Sequence, residues 1–127
     1  MNKRDKIMSE KAIYNAYHIP GMSNLHRVKK NAIMISTANS YEHELEKFNI
    51  CYKLKGQYHN FITEAEKSIN GVKYRRDVVD ITTGEVYEVE TDPKRAERFI
   101  SDPDKDIITV VKLWRVKDGR SSKGVSK

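Results

Sequence analysis

The pair Asn70-Gly71 constrains the fold more than any other feature of the chain. Asn and Gly both tolerate the positive φ of a two-residue hairpin turn. The flanking segments, Asn60 to Lys67 and Lys73 to Ile81, read as strands, the second rich in β-branched residues. Thr82-Thr83-Gly84 turns the chain again into a third strand, Glu85 to Thr91, so the centre of the sequence predicts a three-strand meander. A helix is expected ahead of it, from about Ser40 to Lys55, with Asn39 as cap, Glu42 as capping-box partner and Gly56 as stop. After the meander, Asp92-Pro93 opens a helix to about Ile100. Asp106 to Trp114, a run of Ile, Val and Leu, reads as a strand buried on both faces. The expected class is α/β, a mixed sheet of a meander plus one further strand, flanked by helices.

Before this core, Asp5 to Tyr17 and Ser23 to Ile35 read as helices separated by the Pro20-Gly21 break. They form either a helix-turn-helix with Asn24, His26, Arg27, Lys29 and Lys30 towards DNA, or two packing elements. Residues 1–38 are thus a basic helical extension, 39–116 a core, and 117–127, rich in Gly, Ser and Lys, a flexible basic tail.

The 127 residues suffice for one hydrophobic core. No apolar stretch approaches the roughly 20 residues of a membrane span, and Met1 to Lys11 does not read as a secretion signal. The lone Cys51 cannot form an internal disulfide, so a cytoplasmic protein with no membrane partner is expected. The net charge of +6 is uneven: seven basic residues stand against two acidic in 1–30, ten against twelve in 31–100, and seven against four in 101–127. Basic ends around an acidic centre suit a polyanion held at the periphery and a cation at the centre.

Three features place carboxylates where packing prefers apolar atoms. On the Ser40 to Lys55 helix, Glu44 falls inside a stripe of Tyr41, Leu45, Phe48, Cys51 and Tyr52, whereas Glu42 and Glu46 point away. Asp77 opens a strand in Arg75-Arg76-Asp77-Val78-Val79-Asp80-Ile81. In Tyr87-Glu88-Val89-Glu90-Thr91, alternation sends Glu88 and Glu90 to one face, and the hairpin lets Asp77 approach Glu88. The cluster reads as a Mg²⁺ or Mn²⁺ site. Glu64 and Glu66 are outer members or solvated strand charges. The four histidines, His18, His26, His43 and His59, have no paired ligand spacing and receive no role.

Helix Glu, strand Asp, hairpin and Glu-x-(Lys or Glu), then a helix, resembles the PD-(D/E)xK nuclease superfamily, which includes restriction endonucleases and archaeal Holliday-junction resolvases. The resemblance spans Ser40 to Leu113, with Gly71 to Phe99 carrying most of it. It implies a restriction endonuclease-like core, metal ligation by Asp77, Glu88 and the backbone carbonyl of Val89, and a match of Glu44 to the helix glutamate. Arg76 replaces the motif proline and Glu90 the motif lysine, with Lys94 in the next helix as substitute. The expected activity is a metal-dependent deoxyribonuclease in which Asp77, Glu88, Glu90 and Glu44 are catalytic. Lys53, Lys55, Lys73, Arg75 and Arg76 would contact backbone phosphates. The alternative is a non-catalytic DNA-binding protein of the same fold. A homodimer is implied by resemblance to the resolvases.

Overall fold

The computed structural model describes residues 3–114, so the tail expected at 117–127 lies outside the described residues. Helix α1 (Lys3–Asn15) is followed by an irregular stretch, then helix α2 (Tyr41–Gly56), strands β1 (Phe61–Ile69), β2 (Val72–Asp80) and β3 (Val86–Glu90), a single helical turn α3 (Pro93–Ala96) and strand β4 (Ile108–Lys112). The sheet order is β1-β2-β3-β4, with β1-β2 and β2-β3 antiparallel and β3-β4 parallel. The class is therefore α/β with a mixed open sheet.

The hairpin forms where expected, Asn70 at φ 50° and Gly71 at φ 82°, and Val72 pairs with Ile69 across it. Two hydrophobic clusters sandwich the sheet. On one face Ile50, Cys51 and Leu54 of α2 pack on Phe61, Val78 and Val89, with Tyr87 and Val111 beside them. On the other, Tyr17 and Val28 pack on Ile62, Ala65, Val79, Ile81 and Val86, joined by Ile13 and Tyr14 of α1. Burying each such aliphatic side chain contributes roughly 1.5–3 kcal/mol.

Four local expectations are corrected. Ser23 to Ile35 is not helical, which removes the helix-turn-helix. Its backbone groups are satisfied elsewhere: Ile19 N–H donates to the His26 carbonyl, Asn31 N–H to the Phe61 carbonyl, and Met34 N–H to the Thr63 hydroxyl, which itself donates to the Ala32 carbonyl. Tertiary hydrogen bonds to β1 outcompete a weakly specified helix. The α2 cap is Ser40, whose hydroxyl accepts from His43 N–H, and His43 at the third helical position leaves no capping box. The helix after Asp92 lasts only to Ala96 before tightening into a 3-10 turn, Glu97–Ser101. Finally, β4 is an edge strand whose residues are half-buried or exposed rather than buried on both faces.

Candidate active site

The buried face of α2 is not the aromatic stripe. It consists of His43, Lys47, Ile50, Cys51 and Leu54, spaced i, i+4, i+7, i+8 and i+11. Its apolar half fills the core, while its first two turns carry an ionisable pair into the sheet.

Strand geometry meets that pair at one point. The β1-β2 partners run in one register on both sides of Glu64 and Asp77, yet those two residues are not paired with each other. Glu64 has a φ of +49°, which costs a non-glycine residue backbone energy. The alternation changes phase there. Asp77 reaches His43 while its neighbour Val78 packs on α2 as well. Likewise Glu64 reaches Lys47 on the α2 side, while Ile62 and Ala65 both join the opposite cluster. The slip lets two acids face one helix turn.

The resulting network is continuous. Lys47 Nζ, fully buried, donates to Glu44 Oε1 at 2.6 Å, to Glu64 Oε2 at 3.0 Å and to the Met34 carbonyl at 2.6 Å. Glu44 Oε2 sits 2.7 Å from His43 Nδ1, and Glu44 also accepts from Ser36 N–H and the Asn39 amide. His43 Nε2 lies 3.3 Å from Asp77 Oδ2, which accepts from Val89 N–H at 2.8 Å. Burial alone would raise the Glu44 pKa, but hydrogen bonds from Lys47, Ser36, His43 and Asn39 outweigh it and hold the carboxyl at about 2. The hydrogen bond to Asp77 raises the His43 pKa against the effect of burial, so the charged imidazolium is favoured between two carboxylates. Lys47 is likewise raised: burial opposes its charge, and its two glutamates prevail.

Glu88 has a different environment. It is 2 % exposed, and Asp77 N–H reaches its Oε1 at 3.4 Å. Its Oε2 is buried with no hydrogen-bond partner; the nearest cation, Arg76 Nη1, stands off at 3.9 Å, too far for a hydrogen bond. Desolvation first, and then the neighbouring Asp77, push its pKa well above the carboxylate range. Val89 completes the group. Its N–H donates to Asp77, and in a strand a residue's carbonyl faces the same side as its N–H, here the β2 side.

Neither a family model, nor a curated protein, nor a solved structure matches the chain. The site is therefore read from its own geometry.

The structure brings Asp77, Glu88 and Val89 together and reaches Glu44 only through His43. Glu44 has all its oxygens engaged, which makes it a positioning group for His43 rather than a ligand for a second ion. Glu88 and Glu90 do not converge: Glu90 accepts from Arg98 Nη1 at 2.8 Å and from the Thr91 and Asp92 amides, with Arg95 Nε at 3.4 Å. Lys94 is exposed, with its neighbours Arg95 and Arg98 holding the place expected of it. A pocket of about 120 Å³ opens here, lined by Asn39, His43, Asp77, Val89, Glu90, Arg95 and Arg98.

Among the expected phosphate contacts, Lys53, Lys55, Lys73 and Arg75 are exposed, but Arg76 is not. It is 1 % exposed, forked onto Asp102 at 2.7 and 2.9 Å and onto Asp104 at 3.1 Å. A buried guanidinium so occupied serves the fold and is withdrawn from any nucleic-acid surface. Lys53 and Lys55 also lie at the far end of α2, at least ~15 Å along the axis from His43. Sequence reasoning missed His43, Lys47, Arg95 and Arg98. The signal for the first two was their own spacing, since His43 and Lys47 fall in phase with Cys51 and Leu54.

Among the described residues no group of three or more His, Cys, Asp or Glu converges as a preformed metal cage. What is present is a two-carboxylate set. Glu88 Oε2 lacks a partner, and both partners of the Asp77 carboxylate meet Oδ2, which leaves Oδ1 for a ligand. Carboxylate oxygens are the donors a hard divalent ion takes; of the two acids Asp77 lines the pocket, and Glu88 does not.

Proposed function

We propose that the protein is a metal-dependent nuclease that hydrolyses phosphodiester bonds in DNA and belongs with the PD-(D/E)xK enzymes. The observation that carries this reading is the Glu88 carboxylate, buried beside Asp77 with one oxygen unpartnered. Leaving such an atom unsatisfied costs on the order of 1–3 kcal/mol or more, and a cation shared with Asp77 removes that cost. The element order supports it too: a helix bearing the acid network, a meander supplying Asp77 and Glu88, and a parallel fourth strand returning beside β3.

Asp77, Glu88 and the Val89 carbonyl would hold Mg²⁺ or Mn²⁺, which supplies Lewis acidity to activate a water and offset charge on the scissile phosphate. The protein's own part is orientation. His43, gripped by Glu44, fixes Asp77 from the helix side, and Val89 N–H fixes it from the strand side. Arg95 and Arg98 bring positive charge to the pocket rim in place of the motif lysine, where they stabilise the charge that builds on phosphate oxygens. Glu90 holds these arginines in place.

The second reading, a DNA-binding protein without chemistry, is favoured by the same Glu90, whose two oxygens are already occupied and cannot orient a water without releasing an arginine. Incubation with plasmid, single-stranded and branched DNA, with Mg²⁺, Mn²⁺ or EDTA, decides between them. Cation-dependent cutting that disappears in Asp77→Asn and Glu88→Gln supports the nuclease. Binding without cutting supports the second reading.

A further inference from the structure

Of the stripe that the helical projection assigned to the core, four of the five side chains are in fact on the surface, and only Cys51 is buried. Tyr41, Leu45, Phe48 and Tyr52, at i, i+4, i+7 and i+11 of α2, are 74 %, 43 %, 47 % and 72 % exposed. They run ~16 Å along the helix, and Phe48 and Tyr52 touch, with ring centroids 6.0 Å apart. Ile35, 74 % exposed, extends the patch. Between Ile33, Ile35, Tyr41, Leu45 and Phe48 lies a groove of about 490 Å³. A contiguous apolar surface of this kind marks an interaction site.

Two observations choose its occupant. The stripe is nearly palindromic: reversing it places Tyr41 against Tyr52 and Leu45 against Phe48, so the surface matches an inverted copy of itself. Its charges are complementary in the same sense. Glu42 and Lys53, both exposed, are eleven residues apart and within ~20° of each other around the helix, on one flank of the stripe. Inversion about the centre of the stripe brings one beside the other. Glu44 lines the groove beside the half of the stripe nearest the candidate site, which disfavours a polyanion on this face.

We propose that this stripe is the contact surface of a two-fold homodimer, in which α2 packs antiparallel on the α2 of a second copy. Tyr41 then meets the partner's Tyr52, Leu45 meets the partner's Phe48, and Glu42 pairs with the partner's Lys53 on the open flank. Each contact occurs twice, as an isologous interface requires. The groove beside Leu45 receives aromatic side chains of the other helix. The proposal is independent of the chemistry at Asp77 and Glu88.

Sedimentation velocity of the full chain tests it. Wild type is expected to be a dimer in the micromolar range. Phe48→Glu and Tyr52→Glu, both at exposed positions, should each weaken dimerisation by roughly 100-fold or more, since each change enters the interface twice, with the circular dichroism spectrum unchanged. Glu42→Lys and Lys53→Glu should each weaken it about tenfold, and the double swap should restore it. A wild-type monomer at ~100 μM, or a dimer indifferent to both glutamate substitutions, overturns the proposal. So does a double swap no better than its parents. A monomer whose binding to a fluorescent single-stranded oligonucleotide is lost in the same variants assigns the stripe to nucleic acid instead.

Discussion

Two networks of buried charge sit in this small domain, one closed and one open. The closed one joins Arg76 in β2 to Asp102 and Asp104 in the connection to β4, and one of its acids also takes Lys67 at 2.8 Å. The Arg76 guanidinium is held above its usual range: desolvation opposes its charge, and the bidentate contact with Asp102 overcomes this. The open network runs from Glu64 through Lys47, Glu44 and His43 to Asp77 and ends at a pocket. Burying charge is costly in both. In the first, both acids are matched and only Arg76 Nε lacks a partner, and the result is a clamp between a strand and a loop. In the second, neighbouring Glu88 keeps one oxygen without a hydrogen-bond partner, and on the proposed reading that oxygen takes the cation.

If the contrast is correct, substitutions should divide along it. Glu88→Gln and Asp77→Asn should lower cleavage by about 100-fold or more, as removal of a group acting on the transition state does, while Glu88→Gln leaves stability unchanged or raised. Arg76→Ala should do the reverse, costing about 3–5 kcal/mol in urea unfolding because Asp102 and Asp104 remain buried without their partner. Next comes acid. Glu44, ordinarily near 4.5, sits at about 2 in the fold, so its contribution is complete above 4.5 and is lost as pH falls from there towards 2. The shift corresponds to about 3 kcal/mol, and Glu44→Gln should flatten this part of the stability profile. The smallest effect separates neighbours on α3: Lys94→Ala should leave cleavage within about twofold, whereas Arg98→Ala should reduce it about tenfold or more.

Glu88 adds a test of the proposed cation site. Burial and the neighbouring Asp77 push its pKa well above the ordinary value, so a cation bound there would displace a proton, and its binding should strengthen as pH rises. Calorimetric titration with Mn²⁺ in buffers of different ionisation enthalpy measures that release directly.

The fold was more legible than the site because turns are written locally. Asn70-Gly71 and Asp92-Pro93 specify backbone angles through their own chemistry, and both appear as expected. The approach of Asp77 to Glu88 followed from the second turn, Thr82-Thr83-Gly84, which joins β2 to β3. The stretch from Ser23 to Ile35 failed because its partners, Phe61 and Thr63, lie about 30 residues away, beyond any local pattern. The α2 projection failed for a different reason: it ranked side chains by hydropathy, and this helix turns His43 and Lys47 inward while Tyr41 and Tyr52 face out. That inversion reflects the two acids of the sheet, placed to face α2 by a phase slip that alternation rules do not anticipate.

The stretch between α1 and α2 has a consequence for how much of the chain is needed. His18 bridges to Glu66, and Asn31 exchanges hydrogen bonds with Phe61, so the outer edge of β1 is covered by the chain's own beginning. A fragment starting at residue 39 would bare that edge along with the apolar face that Tyr17 and Val28 shield. It should then add strands from other molecules and precipitate, so the stretch ahead of α2 acts as a built-in guard against edge-to-edge strand pairing.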